Sequence, residues 1–260
     1  SPAWFVNQWN ALAYIFVAWG AYEVIRRTRY LDKTPKSVTE KELHKGFFVM
    51  GSLDATGNFF SAMGAVKCPG ALQTLLNQIQ IPVSILSTIL YLKRPIGWKP
   101  IVSAVVIICG VCLATIPSVL HPDDHVPTAA VSVLIFVAST VPQGFSLVYK
   151  EDAFDKQNVD VFRMTVWVSV WQFLLGFVFV PVLSLKAFGG LAMSDIPSNI
   201  HDGFRCFLGH NSQEGDDCSM RTFWLFIIYT IENVGFNIAW LFVAKKGSAV
   251  LGMIAAAAKL

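Results

Sequence analysis

The chain has 260 residues, of which 54% are hydrophobic and only 14% charged, with a mean hydropathy of +0.54. That balance excludes an ordinary soluble domain and indicates a polytopic membrane protein, and a net charge of +3 gives no reason to expect a nucleic-acid partner. No Walker lysine, His-Glu-x-x-His pattern or nucleotide-binding glycine motif follows a strand, which argues against ATP-driven pumping and predicts a chain that is not an enzyme, with neither cofactor nor metal.

Stretches apolar and long enough to cross a hydrocarbon core run over residues 5–25, 47–66, 70–92, 100–118, 127–149, 162–185 and 222–244. An eighth begins near Ser248 and is too short to cross before Leu260. The expected fold class is all-α, one helical bundle over residues 1–260 with a lumenal loop at 186–221 inside it. Taking the connections alternately puts fifteen Lys and Arg residues on one side, among them Arg26, Arg94, Lys150, Arg163 and Lys245, and four on the other, where Asp123, Asp124, Asp195 and Asp202 collect. The basic side is expected to be cytosolic. The first residue is then lumenal, and with no initiator Met and a last apolar run that breaks off, a fragment lacking spans at both ends is expected.

In the first span Asn7, Gln8 and Asn10 read as interfacial, and the charged connection that follows reads as solvated. The second and third spans carry more polar side chains than lipid tolerates. Asp54, Asn58 and Ser61 recur at i, i+4, i+7, and Gln73, Asn77, Gln80 and Ser84 at i, i+4, i+7, i+11, so each helix gains one wet stripe. Two such stripes in adjacent spans predict a shared cavity and a solute pathway. Pro82, with Gln78 and Gln80 just before it, predicts a bend that shapes that cavity.

The fourth span reads as scaffold. The loop His121-Pro122-Asp123-Asp124-His125 reads as a solvated turn rather than a metal site, for want of ligand spacing. Pro142, Gln143 and Gly144 predict a second helix break, and Gln172 puts a polar group in the sixth span. Asp152, Asp155 and Asp160 read as solvated, whereas Glu151 is placed at a cytosolic mouth. In the long lumenal loop Cys206 and Cys218 read as a disulfide in an oxidising compartment; the competing assignment is zinc held by Cys206, His210, Cys218 and His201. Cys68, Cys109 and Cys112 read as small hydrophobes.

Sliding the chain on itself by 178 positions lays Asp54 on Glu232, Gly57 on Gly235, Lys67 on Lys245 and Ala71 on Ala249. These copies fall in the second and seventh apolar segments and so cross in opposite directions, as in an inverted repeat with its site near the midplane. Asp54 and Glu232, with Asn233 beside the latter, are expected to face one cavity. There the acids either carry protons, through a pKa raised by desolvation, or stay ionised and select cations.

Gly51-Ser52-Leu53-Asp54-Ala55, the run from Leu72 to Pro82, Asp160-Val161-Phe162-Arg163 and the run from Gly203 to Gly209 ahead of Cys218 together resemble the chloroquine resistance transporter family of the drug/metabolite transporter superfamily. The resemblance implies ten helices in two inverted five-helix repeats, of which this chain would hold about seven and part of an eighth. It implies export of small polar or cationic solutes (amino acids, short peptides, drugs or thiols such as glutathione), with protons as a candidate second cargo. It also implies a monomer in a vacuolar or endolysosomal membrane, or alternatively in a plastid envelope. Asp54, Gln73, Gln78, Gln80 and Glu232 fall on its cavity positions, Glu151 near its cytosolic mouth, and Cys206 and Cys218 on its outer cysteine pair; the inner pair of the parasite members is missing. The competing functions are an intramembrane aspartyl protease, whose Tyr-Asp and Gly-x-Gly-Asp signatures are absent, and a scaffold that transports nothing.

Overall fold

The computed structural model describes residues 2–28, 38–120, 130–185, 192–211 and 218–252. Among these every regular element is helical: α1 (Pro2–Thr28), α2 (Glu40–Ala65), α3 (Gly70–Asn77), α4 (Gln80–Ser87), α5 (Trp98–Leu120), α6 (Ala130–Gln157), α7 (Val161–Val178), α8 (Ile196–Phe207) and α9 (Met220–Lys246), with a π-helical turn at Thr88–Leu92. The loop His121–His125 and the end of the chain lie outside the described residues.

Among the described residues each of the seven apolar segments forms helix over most of its length, but five helices, rather than seven, are long and apolar enough to cross a membrane: Gly70–Leu92, Trp98–Ile116, Ala130–Gln157, Val161–Val178 and Phe223–Lys246. Helices α1 and α2 have the length and fall short in apolarity, because each devotes a face to polar groups, Asn7, Gln8 and Asn10 in one and Asp54, Asn58 and Ser61 in the other. Those faces point inward: α2 packs between α6 and α7, and α1 lies along α7.

Local signals set the helix ends. A Thr-x-x-Glu capping box starts α2: Thr39 Oγ1 accepts from the Glu42 N–H, and Glu42 accepts from the Thr39 N–H at 3.0 Å, which holds its carboxyl below the usual range. Asp160, buried rather than solvated, caps α7 by accepting from the Phe162 and Arg163 N–H groups at 2.9 and 3.1 Å. Pro82 acts through its missing N–H. The Gln78 carbonyl it would have bonded accepts from Ile81 instead at 3.0 Å, and the chain tightens at Gln78 and Ile79, separating α3 from α4. Helix α6, by contrast, continues through Pro142 without the expected break.

Helices meet where side chains are small, as expected when close backbone approach holds a membrane bundle together. A Cβ at Gly51 would strike Trp171 of α7, and one at Gly64 would lie 2.6 Å from the Phe136 nitrogen of α6. Gly176 of α7 makes room for the Gln8 amide, which donates to the Phe173 carbonyl at 3.2 Å, so Gln8 is buried helix-to-helix glue rather than an interfacial residue. At the basic end, Leu43, Phe47, Met50, Phe154, Val161, Met164 and Leu241 form a buried cluster joining α2, α6, α7 and α9. Nearby, Arg163 of α7 pairs with Glu40 of α2, and Lys245 donates to the Val159 carbonyl at 2.6 Å.

At the opposite end the Cys206–Cys218 disulfide, with an S–S distance of 2.07 Å, is present, which sets aside the zinc assignment. It ties the end of α8 to the start of α9, and Phe207 packs on Trp9, Phe223 and Phe226 with ring centroids 4.3, 5.1 and 5.6 Å away. Closing a loop of this size restricts the unfolded chain by about 3 kcal/mol. Replacing both cysteines by serine is therefore expected to lower stability by about 2–4 kcal/mol, read by thermal unfolding in detergent, with dithiothreitol reproducing the shift in the unmodified protein.

Candidate functional site

Five helices each turn one polar face toward a common cavity of about 400 Å³, a size suited to a small molecule. Asn7, Asn10 and Tyr14 come from α1; Asp54, Asn58 and Ser61 from α2; Gln143 and Lys150 from α6; Thr165, Ser169 and Gln172 from α7; Tyr229, Asn233 and Asn237 from α9. Each set is spaced at three, four or seven residues, which keeps it on one helix face. Gln80 adds a sixth element, α4. Met164, Val168 and Leu241 also line the cavity and belong to the buried cluster at the basic end, so that cluster is the cavity's apolar floor.

The lining contains one acid and one base among the described residues, and they are paired. Lys150 Nζ lies 2.6 Å from Asp54 Oδ2, with the two side chains only 13% and 16% exposed. Partly desolvated charges attract more strongly than in water, and either one alone here would be costly. The amides around the pair are sparsely used. Gln143 donates to Asn58 Oδ1 at 3.3 Å and the Tyr14 hydroxyl to the Asn233 carbonyl at 2.9 Å, while the buried Asn10 Oδ1 and Trp240 Nε1 have no partner among the described residues. Buried polar atoms are normally satisfied, so the lining has donor and acceptor capacity left for an occupant.

Of the eight cavity residues expected from sequence, Asp54, Asn58, Gln80 and Asn233 line this space. Gln73 does not: its amide donates to the Ala65 and Cys68 carbonyls at 3.1 and 2.6 Å and so clamps the turn between α2 and α3. Asn77 is exposed on α3, Gln78 lies half-buried in the break after it, and neither lines the cavity. The stripe from Gln73 to Ser84 presumes one continuous helix, and the tightened turn at Gln78 and Ile79 rotates α3 away from the face that carries Gln80. Glu232 is exposed on α9, one residue and so about 100° around the helix from Asn233; the charge facing Asp54 is Lys150 instead.

Sequence reasoning passed over Asn7, Asn10, Tyr14, Lys150 and Asn237 as cavity residues. The signal was there for most of them. The spacing rule applied to α2 also picks out Asn7, Asn10 and Tyr14, and Tyr229, Asn233 and Asn237. Lys150 was hidden among the basic-side charges, because its place near the end of an apolar segment reads as topology rather than chemistry.

Glu151, the next residue, has its own role at the basic end. It is 3% exposed and accepts from Arg94 Nη1 and from the Ala249 N–H, both at 2.7 Å. Arg94 also reaches Asp155 at 2.6 Å, and these two carboxylates, Asp155 foremost, raise the guanidinium above its ordinary pKa.

A family model described as CRT-like, chloroquine-resistance transporter-like, matches residues 2–260. The chain is 30% identical to a chloroquine resistance transporter of Toxoplasma gondii over 83% of its own length and 26% of that protein's. It is 29% identical to Crt homolog 3 of Dictyostelium discoideum, over 80% of this chain and 48% of the homolog. With a chloroquine resistance transporter of Plasmodium vivax the identity is 28%, over 81% of this chain and 53% of the relative. The chain thus spans from about a quarter to about half of the length of these relatives.

Proposed function

The chain belongs to the chloroquine-resistance transporter-like family, and from that membership and the cavity we propose a secondary transporter that exports small polar or charged solutes across an organelle membrane by alternating access. It is a multi-pass membrane protein. The observation that carries the reading is a small-molecule-sized polar cavity set among membrane-length helices, with a partly buried ion pair inside and an apolar floor at one end. A carrier needs such a state, with its site closed toward one side while solute enters from the other. In this reading the basic end, which the charge bias assigns to the cytosol, is the closed one, because the apolar cluster lies against the cavity there.

An inverted repeat of two five-helix halves suits this geometry. Helices α2 and α9 carry the matched pairs Asp54 with Glu232 and Gly57 with Gly235, and both give polar faces to the same space. Amino acids, short peptides and thiols such as glutathione are the candidate solutes, a vacuolar or endolysosomal membrane the candidate location with a plastid envelope the alternative, and a monomer the working unit. Asp54 is the candidate proton carrier. The protease reading gains nothing from the cavity, since a shared-proton dyad needs two facing acids and the acid here faces a lysine.

The test is uptake into proteoliposomes by the full-length protein, with and without an imposed pH gradient, for lysine, a dipeptide and glutathione. Saturable flux accelerated by the gradient is expected, and Asp54→Asn should lower it at least about tenfold by leaving Lys150 without its partner. A folded protein that moves none of the three, with the variant indistinguishable from it, would sink the carrier reading in favour of a scaffold.

A further inference from the structure

An ion pair inside a solute-sized cavity bears on which solutes can enter. Resting on the carrier reading above, we propose that Lys150 is the specificity-determining residue of the site: as Asp54's built-in counter-ion it rejects solutes carrying only a positive charge and admits those carrying both charges.

The argument is one of charge balance. The described lining holds one carboxylate and one ammonium, 2.6 Å apart and mostly shielded from water, so its own charges sum to zero. A solute that is only cationic must displace Lys150 from Asp54. That adds a positive charge to the site and leaves Lys150 beside the intruder, partly desolvated and unpaired. A solute that is only anionic strands Asp54 in the same way. A zwitterion can open the pair, set its ammonium on Asp54 and its carboxylate on Lys150, and leave both charges matched and the site neutral. Asn10, Asn58, Gln143 and Asn237, carrying both donors and acceptors, can then bind its neutral amide or hydroxyl groups. Discrimination of this kind rests on a penalty built against the wrong partner rather than on tighter contacts to the right one. A purely structural lock between α2 and α6 would be disturbed equally by every solute, so the preference among solutes separates the two roles.

Three related solutes make the test: L-alanyl-L-alanine, its C-terminal amide, which keeps only the ammonium, and its N-acetyl derivative, slightly larger, which keeps only the carboxylate. Uptake is measured into proteoliposomes of the full-length protein. The unmodified protein should prefer the dipeptide over each analogue by at least about tenfold. Lys150→Gln should collapse or invert the preference against the amide by raising uptake of the amide. Lys150→Met, which keeps the apolar stem and drops the charge, gives the same reading should the Gln variant not survive extraction. A wild-type protein that takes the amide within about twofold of the dipeptide overturns the inference whatever the variants do, and so does a folded Lys150 variant with an unchanged ratio. Uptake of none of the three overturns the carrier reading itself, and the inference with it, so the two failures look different.

Discussion

Gly64→Val is expected to leave little or no folded protein after detergent extraction. A side chain at this position has nowhere to turn. Its Cβ would lie 2.6 Å from the backbone nitrogen of Phe136 and 2.8 Å from its Cα, so the obstacle is α6 itself. Helix α6 cannot give way cheaply, because Phe136 is 2% exposed and belongs to a cluster with Cys68, Leu72, Leu76, Val111 and Val133. Retreat would open that cluster. Overpacking costs about 1–3 kcal/mol where side chains can adjust and more where a helix must move, so the valine should exceed the upper figure. Gly57 is the informative contrast: there the first obstruction is the flexible Gln143 side chain, and an alanine should be milder, acting chiefly by pushing that amide off Asn58. Gly20, with open space around it, is the control, and Gly20→Val should change stability by no more than the modest helix-propensity difference, under about 1 kcal/mol. The measurement is the fraction of protein that still elutes as a single species from size exclusion after heating in detergent.

The part of this bundle that could be read in the sequence is the part governed by short-range periodicity. Seven apolar segments become helices, and Asp54, Asn58 and Gln80 reach the cavity, because spacing along one helix fixes which side chains share a face. The pairing of Cys206 with Cys218 needed only their shared loop and an oxidising compartment. What stayed hidden depends on which helix faces which. Lys156 has a partner readable four residues back on its own helix, Asp152, whereas nothing local in the sequence shows that Lys150 reaches across to Asp54. Glu232 and Asn233 are adjacent in sequence, and the rotational setting of α9 that exposes the carboxylate and turns the amide to the cavity is set by packing against α1, α6 and α7. The third-span break has the local cause read in the sequence, Pro82, but a proline acts on the carbonyl four positions earlier, so the helix tightens at Gln78 rather than at the proline itself. That shift redirects Gln73 from the cavity to the turn it clamps.

Arg94→Met is expected to destabilise the folded protein by about 3 kcal/mol, the lower end of the range for breaking a buried ion pair. The lower end is chosen because Arg94 is itself 48% exposed, so water shares in the solvation of its side of the pair. Glu151 has no such relief at 3% exposed, and without Arg94 its remaining recorded partner is the Ala249 N–H. The loss matters beyond one bond because this carboxylate joins three parts of the basic end: the segment after the π-helical turn, the end of α6, and the backbone that follows α9. Removing both charges, as Arg94→Met with Glu151→Leu, should recover part of the loss, since two apolar side chains no longer need solvating. The recovery is incomplete, because the Ala249 N–H is then buried without an acceptor, at about 1–3 kcal/mol. Glu151→Gln is the finer probe. Its carbonyl still accepts from Ala249 and no buried charge is left unpaired, while Arg94 keeps Asp155, so it should be milder than both the double variant and Arg94→Met. A double-mutant cycle read by thermal unfolding in detergent decides the matter. A coupling energy near zero would show that Glu151 is held by the Ala249 backbone alone, and a coupling above about 1 kcal/mol would identify the Arg94 contact as the one that fastens this end of the bundle.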